Sequence, residues 1–275
     1  MSKIAYDPIK DKFARFIKRS RLSRTVFYRL LDMFFLRSWH VRKHLRTIFL
    51  TEFQGKGNWD LIDAGSGFGQ YDRFILRNFP NVTVKSVDVK DDYLADSKHY
   101  FAKDHDKGRI TFETADLLKY DQPESYDMAI CIDVLEHIEE DVLVMTNLRK
   151  ALRPGGYFIM HSPSIYAEED AGDDEFFVDE HARVGYSIED ISGKLEQAGL
   201  MPVHVHYTYG TSGHRAWEWL IKYPMLWMTN LGFWVALFLP LYYAFTLIPG
   251  LLMMRSDLYS KNEKGTGICA VARKV

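Results

Sequence analysis

Cysteine is scarce in this chain, and its first residues lack the apolar run of a secretory signal. Only 2 of the 275 residues are cysteines, Cys131 and Cys269, and each lies in an apolar run with the composition of a strand. Two cysteines are too few for a disulfide scaffold, so we expect buried free thiols in a reducing compartment, not a disulfide or a metal pair. Because the first residues are charged, we expect a cytoplasmic protein.

The chain also lacks a large net charge, which is only −2. Its basic and acidic residues are, however, unevenly distributed along the sequence. Residues 1–50 hold 13 Lys and Arg against 3 Asp and Glu, and the acidic remainder argues against a nucleic acid partner. We expect 7–50 to be helical. Its basic residues alternate with Phe, Ile and Leu, which is typical of helices on anionic membrane surfaces; a helical cap over a ligand site is the alternative. These basic residues are Lys10, Lys12, Arg15, Lys18, Arg19, Arg21 and Arg24.

The stretch 61–69 has the pattern of a buried strand, a glycine turn and the start of a helix. Glycines at 65, 67 and 69 let backbone N–H groups approach a ligand, and the helix N-terminus adds partial positive charge. Asp88 ends a second β-rich run 19 residues after Gly69, where a carboxylate can accept both hydroxyls of a ribose. Position 70 is Gln, so the last glycine of the pyrophosphate-binding pattern G-x-G-x-x-G is missing. The spacing therefore argues against NAD and FAD and indicates a ligand with a ribose but no pyrophosphate.

Runs typical of strands and helices alternate from 59 to 163, which predicts parallel strands with right-handed crossovers in a doubly wound α/β sheet. Ligands of such sheets bind outside the carboxyl ends of the strands. Acidic residues at those ends would suit a cationic ligand, and they are Asp63, Asp88, Asp116 and Asp133. The expected strands are 59–64, 82–88, 109–114, 126–132, 155–162, 201–209 and 265–273, and the expected helices are 69–79, 91–104, 139–152 and 187–199.

Five segments, in order, resemble the motifs of class I S-adenosylmethionine-dependent methyltransferases of the ubiquinone and menaquinone type. They are 63–69, Asp88, 115–117, 126–133 and 152–158, and the resemblance covers 57–209 and resumes at 264–275. It implies a Rossmann-like fold with a seven-stranded, mostly parallel sheet, an antiparallel hairpin of the last two strands, and S-adenosylmethionine as cofactor. The cofactor residues that it implies are Asp63, Gly65, Gly67, Gly69, Asp88, Val89, Asp116, Leu117 and Asp133.

The same resemblance implies a role for several of these residues. Asp63 would lie near the amino group of the cofactor, Asp88 would hold the ribose hydroxyls, and Asp116 would accept the adenine amino group. A turn or helix-cap role is the alternative for each carboxylate.

Two histidines follow the strands that should face the transferred methyl group, His137 after the fourth strand and His161 at the end of the fifth. A neutral imidazole takes up protons near pH 7, so each is a candidate general base, with shaping of the pocket as the alternative. Residues 179–186 resemble the segment that closes over substrates in ubiquinone-type methyltransferases. The acidic loop 164–186 has no compact ligand spacing, so we predict no metal site. The candidate substrate residues are Tyr166, His181, Arg183 and Tyr186.

An apolar insert interrupts the resemblance before the last strand. Residues 223–254 contain no charged side chain, and Pro224, Pro240 and Pro249 are expected to break them into short helices. Both ends of the insert return to one sheet, and two membrane crossings would need about 40 apolar residues, so a monotopic hairpin in one leaflet is predicted. A subunit interface or an added buried helical layer is the alternative. The aromatic residues expected near the membrane interface are Trp217, Trp219, Trp227 and Tyr242.

The sequence therefore predicts four regions: a basic helical region at 1–56, a methyltransferase core at 57–209, an apolar membrane-associating insert at 210–263, and the last strand of the core at 264–275. The expected activity is methylation of a hydrophobic small molecule or lipid-like substrate, such as a quinone, an isoprenoid, a polyketide-like pigment or a lipid. The expected location is the inner face of the membrane, with peripheral or monotopic attachment. The alternatives are a soluble homodimeric small-molecule methyltransferase and a non-catalytic S-adenosylmethionine-binding protein.

Overall fold

A seven-stranded sheet forms the centre of the protein in a computed structural model that describes residues 20–53, 55, 57–167 and 182–275. The strand order is β3-β2-β1-β4-β5-β7-β6, and β7 alone runs antiparallel to its neighbours. This is the doubly wound, mostly parallel sheet with a terminal antiparallel hairpin that the sequence predicted. The strands are β1 (Trp59–Ala64), β2 (Val82–Asp88), β3 (Ile110–Thr114), β4 (Tyr126–Ile132), β5 (Leu152–Pro163), β6 (Leu200–Thr208) and β7 (Gly267–Lys274).

Helices cover both faces of this sheet. Short 3₁₀ turns at Leu117–Lys119, Leu135–His137 and Phe233–Leu237 and a π-helical turn at Glu218–Lys222 join some of them. The predicted helix 91–104 is divided at Phe101, and the predicted helical region 7–50 is divided at Phe35, whose backbone is extended. The α-helices of the described residues are α1 (Arg21–Phe34), α2 (Leu36–Thr51), α3 (Gln70–Asn78), α4 (Asp91–Tyr100), α5 (Ala102–His105), α6 (Asp141–Ala151), α7 (Ile188–Gln197), α8 (Thr211–Trp217), α9 (Tyr223–Leu231) and α10 (Leu239–Tyr259).

The two faces of the sheet bury separate apolar clusters. Helices α6 and α7 pack on one face through side chains such as Leu148 and Leu195. Helices α2 and α3 pack on the other face, where Leu45 and Ile75 meet residues of β1, β4 and β7. The strand order reverses between β1 and β4, so the carboxyl ends of these strands open a crevice at one edge of the sheet.

Helix α1 lies over the turn that follows β1. Its N-terminus is closed by a capping box between Ser20 and Ser23. Arg24 is buried, and its guanidinium donates hydrogen bonds to the Phe68 carbonyl at 2.9 Å and to Ser97 Oγ at 2.7 Å. Arg24 thus faces the protein interior, as the alternative of a helical cap requires. The other basic residues up to Arg19 lie outside the described residues.

The apolar part of the insert before β7 folds into two helices, α9 and α10, connected by a short 3₁₀ turn, and α8 and the π-helical turn precede them. Pro224 and Pro240 lie in the first turns of α9 and α10, where proline is tolerated. The prediction that Pro249 would break the insert was wrong, because α10 continues through it for 21 residues. Packing of this helix against Leu36 and Leu220 compensates for the lost hydrogen bond.

Buried Asp257 of α10 anchors the insert to the core. It accepts hydrogen bonds from the Gly210 N–H at 2.7 Å and from Asn262 Nδ2 at 3.1 Å, and it contacts His40 Nε2 of α2 at 3.0 Å. None of the described helices is both long enough and apolar enough to traverse a lipid bilayer.

Candidate functional site

A glycine turn leads from β1 into α3. The N–H groups of Gly65 and Ser66 both donate to the Val87 carbonyl, at 2.8 and 3.0 Å, which fixes the turn against β2. Gly65 has φ +81°, and a Cβ at this position would overlap Val134. Gly67 has φ +52°, and a Cβ there would meet open space. The turn therefore needs glycine for its backbone, and it presents an open surface at Gly67, where a ligand can approach.

Asp88, at the carboxyl end of β2, is held beside this turn. Its Oδ2 accepts from the Gly67 N–H at 2.8 Å and its Oδ1 accepts from the Lys90 N–H at 2.9 Å. Each carboxylate oxygen keeps a lone pair, because an oxygen of this type accepts about two hydrogen bonds. The neighbouring Val89 side chain is 60% exposed. A half-buried acceptor beside an exposed apolar side chain suits a ribose joined to a base.

Asp63 of β1 is fully buried and lies next to Asp72 of α3. Burial, reinforced by repulsion from Asp72, raises the pKa of Asp63 well above its usual range. Burial likewise raises the pKa of Asp72 from 3.8 to about 6. The hydrogen bond that Ser86 Oγ donates to Asp72 at 2.9 Å acts in the opposite direction and lowers this pKa. Asp63 Oδ2 accepts no hydrogen bond from another residue in the described part of the chain. A cationic group near Asp63 would supply the missing partner.

Asp116 and Leu117 follow β3. Asp116 is exposed, and its Oδ1 accepts from the Leu118 N–H at 3.0 Å, so it caps the 3₁₀ turn at Leu117–Lys119. The buried Leu117 is fixed by a hydrogen bond from Asn147 Nδ2 to its carbonyl at 3.1 Å. Asp116 has the turn-cap role that the sequence left as an alternative, and its contact with adenine stays a prediction.

Asp133 connects the ends of β4, β5 and α2. Its Oδ1 lies 2.8 Å from His161 Nδ1, and its Oδ2 forms an ion pair with Arg37. His161 Nε2 lies 3.1 Å from Thr208 Oγ1, so both ring nitrogens have partners. Burial, reinforced by Arg37, lowers the pKa of His161 to about 3. His161 is therefore a neutral ring that orients Asp133, and a role as general base stays a prediction for it.

Two residues with left-handed backbone meet at Arg37. Asp133 has φ +53° and Tyr209 has φ +55°, a region that costs non-glycine residues about 1 kcal/mol or more. The Arg37 N–H donates to Tyr209 Oη at 3.1 Å, while its guanidinium binds Asp133. The first turn of α2 thus holds two strained strand ends in position at the edge of the sheet.

The remaining candidates lie around this edge. His137 is exposed at the end of the 3₁₀ turn Leu135–His137, and Tyr166 packs edge-on against Tyr207 with ring centroids 5.3 Å apart. Arg183 forms an ion pair with Asp141 at the start of α6.

Tyr186 is buried and donates to Asp141 Oδ2 at 2.8 Å. Arg183 and Tyr186 therefore both tie the segment before α7 to α6. Their contact with a substrate stays a prediction, and His181 lies outside the described residues.

The arrangement fits the proposed cofactor on three counts. The glycine turn leaves open space at Gly67, Asp88 has spare acceptor capacity, and the buried Asp63 Oδ2 has no donor among the residues that the structure describes. A nucleoside with ribose hydroxyls and a positively charged amino acid end would satisfy these groups.

Known proteins are similar to this chain over the part that contains these features. A family profile described as a methyltransferase domain matches residues 62–158, which include the glycine turn, Asp88 and Asp133. The ubiquinone biosynthesis O-methyltransferase of Hydrogenovibrio crunogenus is 26% identical over 118 residues, which are 43% of this chain and 48% of that protein. The sterol 24-C-methyltransferase of Candida albicans is 26% identical over 133 residues, 48% of this chain and 34% of that protein. The chain thus spans less than half the length of these curated relatives.

Solved structures share the fold. A putative sarcosine dimethylglycine methyltransferase from Galdieria sulphuraria superposes with a TM-score of 0.59 and 16% identity, over 86% of this chain and 83% of that one. The phosphoethanolamine N-methyltransferase 2 of Haemonchus contortus, in complex with S-adenosylmethionine, superposes with a TM-score of 0.58 and 19% identity, over 95% of this chain and 60% of that one. Residues 62–158 thus form a methyltransferase domain, and the chain has the fold of the class I S-adenosylmethionine-dependent methyltransferases, with S-adenosylmethionine as the cofactor.

Sequence reasoning missed two groups of residues at this edge. Arg37 was not singled out among the basic residues of the N-terminal helices, although it pairs with Asp133. Four histidines of α2 and β6 were not connected with Cys269, because they are distant in sequence. The spacings His40-x-x-x-His44 and His204-x-His206 could have indicated them, since each spacing places two rings on one side of its element.

Proposed function

We propose that the protein transfers the methyl group of S-adenosylmethionine to an oxygen, nitrogen or carbon atom of a hydrophobic acceptor. The bound cofactor supplies an electrophilic methyl group on a sulfonium. Asp88 holds the ribose hydroxyls, and Asp63 and the glycine turn receive the amino acid end. Alignment of the acceptor with the methyl group supplies most of the rate enhancement, as expected for an in-line displacement.

The acceptor side of the site is built around Asp133. Its carboxylate is fixed between Arg37 and His161, so it stays at the strand end where the transferred group would lie. His161 is neutral at pH 7 and engaged at both nitrogens. When the acceptor must lose a proton, the exposed His137 is the better-placed candidate to take it.

The apolar insert supports a hydrophobic acceptor and attachment to a membrane, and it is the observation that carries this part of the proposal. One side of α10 packs against Leu36 and Leu220. The opposite side exposes Leu241 (65%), Phe245 (74%), Ile248 (68%) and Leu252 (61%) at the spacing of one helix face. Soluble proteins rarely leave such a contiguous apolar stripe in water.

The tip of the insert extends this apolar surface. Trp234, Leu237 and Phe238, around the turn between α9 and α10, are more than half exposed. Trp227 packs edge-on against Tyr242 with centroids 5.0 Å apart, at the side where aromatic rings would meet headgroups. A hairpin with an apolar tip and an apolar stripe fits a shallow position in one leaflet.

Both named relatives support the acceptor class. One is a ubiquinone biosynthesis O-methyltransferase and the other a sterol 24-C-methyltransferase, and both names agree with a hydrophobic acceptor. The insert begins two residues after β6, and Ala216 and Leu220 in its first turns pack against Leu36, the neighbour of Arg37, so an acceptor moving along the insert would arrive at Asp133.

Transfer of isotope from methyl-labelled S-adenosylmethionine into a total lipid extract tests the activity. The expected result is one labelled lipid-soluble species that is absent from reactions without the protein. Label recovered only in water-soluble products would overturn the hydrophobic acceptor.

Membrane attachment is tested by co-sedimentation with liposomes that contain anionic lipids. The triple variant Leu241→Ser, Phe245→Ser, Ile248→Ser should lose about 5 kcal/mol of membrane affinity, since each apolar side chain contributes about 1.5–3 kcal/mol. A control with Leu50→Ser, Met201→Ser and Val203→Ser changes three exposed apolar side chains outside the insert and should sediment like the wild type.

Equal sedimentation of both triple variants and the wild type would contradict the attachment. A homodimer in detergent-free ultracentrifugation that is dissociated by the α10 variant would instead assign the stripe to a subunit interface. That outcome would favour the soluble homodimeric methyltransferase.

A further inference from the structure

Four histidines and a cysteine meet on the α2 side of the sheet, which we name the histidine–cysteine cluster. His40 and His44 lie one turn apart on α2, and His204 and His206 lie two residues apart on β6. Cys269 of β7 is the direct register partner of His206. None of these residues is required by the methyl transfer proposed above, so they need a separate explanation.

Three of these side chains present metal-binding atoms to one point. The donor atoms of His44, His206 and Cys269 all lie within 4.8 Å of one another. A tetrahedral zinc ion, with bonds of about 2.0–2.3 Å, needs donors about 3.3–3.8 Å apart, so small side-chain rotations close the site. His204 stacks on His206 with ring centroids 4.6 Å apart and lies 5.4 Å from the His44 ring. It can supply a fourth donor from the solvent side, because it is exposed.

A buried relay fixes which nitrogen of His206 carries the proton. His40 Nε2 contacts the Asp257 carboxylate at 3.0 Å, and His40 Nδ1 contacts His206 Nε2 at 3.1 Å. Because the Asp257 carboxylate can only accept, the proton of the His40 ring lies on Nε2. His40 Nδ1 is then an acceptor, and it accepts a hydrogen bond from the N–H group at His206 Nε2. His206 Nδ1 is then a bare lone pair, and it is buried without a hydrogen-bond partner among the described residues. A carboxylate behind a histidine pair is the support that metal-binding imidazoles commonly have.

We propose that the histidine–cysteine cluster binds one zinc ion through His44, His206 and Cys269, with His204 or water as the fourth ligand. Imidazole and thiolate together favour zinc over magnesium or calcium, which prefer oxygen ligands. Binding forms a sulfur–metal bond and breaks the S–H bond of Cys269, and the thiol proton leaves to the buffer. This site departs from the expectation, based on sequence, that the protein holds no metal.

The bound ion links three elements that the chain brings together from distant positions. His44 belongs to α2, whereas His206 and Cys269 belong to the β6–β7 hairpin that carries the insert. Metal binding should therefore stabilise the folded chain and hold α2, which carries Arg37, against the sheet.

Titration of the purified metal-free protein with Co²⁺, a spectroscopic substitute for zinc, tests the proposal. The expected result is one ion per chain, with thiolate-to-cobalt charge-transfer absorption that one equivalent of Zn²⁺ abolishes. Cys269→Ser should remove the charge-transfer band and weaken Zn²⁺ binding at least tenfold. Cys131→Ser is the matched control, because Cys131 is also a buried free thiol but lies on the other face of the sheet.

A second variant covers the case in which Cys269→Ser misfolds. His44→Gln keeps the half-buried side chain polar and should weaken Zn²⁺ binding at least tenfold and abolish the zinc-dependent rise in Tm. Absence of stoichiometric binding to the wild type, or unchanged binding and absorption in His44→Gln, would overturn the proposal. Both readouts are independent of methyl transfer, so they are informative whatever the acceptor proves to be.

Discussion

The buried pair Asp63–Asp72 predicts an unusual dependence of stability on pH. Burial raises the pKa of Asp72 from 3.8 to about 6, and the pKa of Asp63 is raised as well. The folded state then holds the proton more tightly than the unfolded state does. The stabilising contribution is full below about pH 4 and is lost as the pH rises through about 6.

The magnitude follows from the change in the pKa of Asp72. About two pKa units, at 1.36 kcal/mol each, correspond to about 3 kcal/mol of unfolding free energy at neutral pH. Asp72→Asn removes this ionisation while keeping an oxygen for the hydrogen bond from Ser86. The substitution also removes a favourable charge from the first turn of α3, a loss of about 0.3–1 kcal/mol. The net expectation is a gain of about 2 kcal/mol, or a Tm rise of about 4–8 °C.

Denaturant unfolding at several pH values checks this expectation. The stability difference between Asp72→Asn and wild type should widen by about 1.4 kcal/mol from about pH 5 to about pH 7.5. Asp190→Asn makes the same change at an exposed position in the first turn of α7, and should cost a few tenths of a kcal/mol with no widening. A difference that stays constant with pH, or a variant less stable than wild type at neutral pH, would refute the reasoning.

Two further substitutions test the cofactor turn. Gly65→Ala should destabilise the protein by about 2–5 kcal/mol, because position 65 has a positive φ and a Cβ there would overlap Val134. The control Gly108→Ala is at a position with a positive φ but open space, and it should lower the free energy of unfolding by only about 1–2 kcal/mol. Equal losses for the two variants in denaturant unfolding would contradict the overlap with Val134. Asp88→Asn should weaken S-adenosylmethionine binding about 10- to 100-fold by calorimetry, because it replaces one of the two carboxylate oxygens, which accept from the Gly67 and Lys90 N–H groups, with an amide donor and so leaves fewer acceptor sites for the ribose hydroxyls. Unchanged affinity in a correctly folded variant would assign Asp88 to the turn alone.

The core of the fold was predictable because its signals are local. The bounds of β1 and β2 match those predicted, since each is a β-rich run that ends at an acidic residue or glycine turn. The position of Asp88 beside Gly67 followed from the spacing of one strand–turn–helix unit. The residues that hold the cofactor are still predictions, although their placement at one sheet edge agrees with the motif order.

The features that sequence reasoning missed depend on distant contacts. Arg37 and Asp133 are 96 positions apart, and His40 and His206 are 166 apart, so local patterns could not pair them. Asp72 was not identified as the partner of Asp63, because its role depends on which side of α3 faces β1. The prediction for Pro249 failed for another reason. The tendency of proline to break a helix was given more weight than the packing of α10 against Leu36 and Leu220.

The insert leaves and rejoins the sheet at adjacent points. Thr208 and Gly267 are paired in the β6–β7 hairpin, and the Thr266 N–H donates to the Tyr209 carbonyl at 3.3 Å. The whole excursion from 210 to 265 therefore occupies the place of an ordinary hairpin turn, as in a domain insertion. Exchange of this excursion between proteins of the same fold would leave the cofactor half unchanged and require only two chain junctions to match, and under the proposed function it would also transfer the acceptor preference.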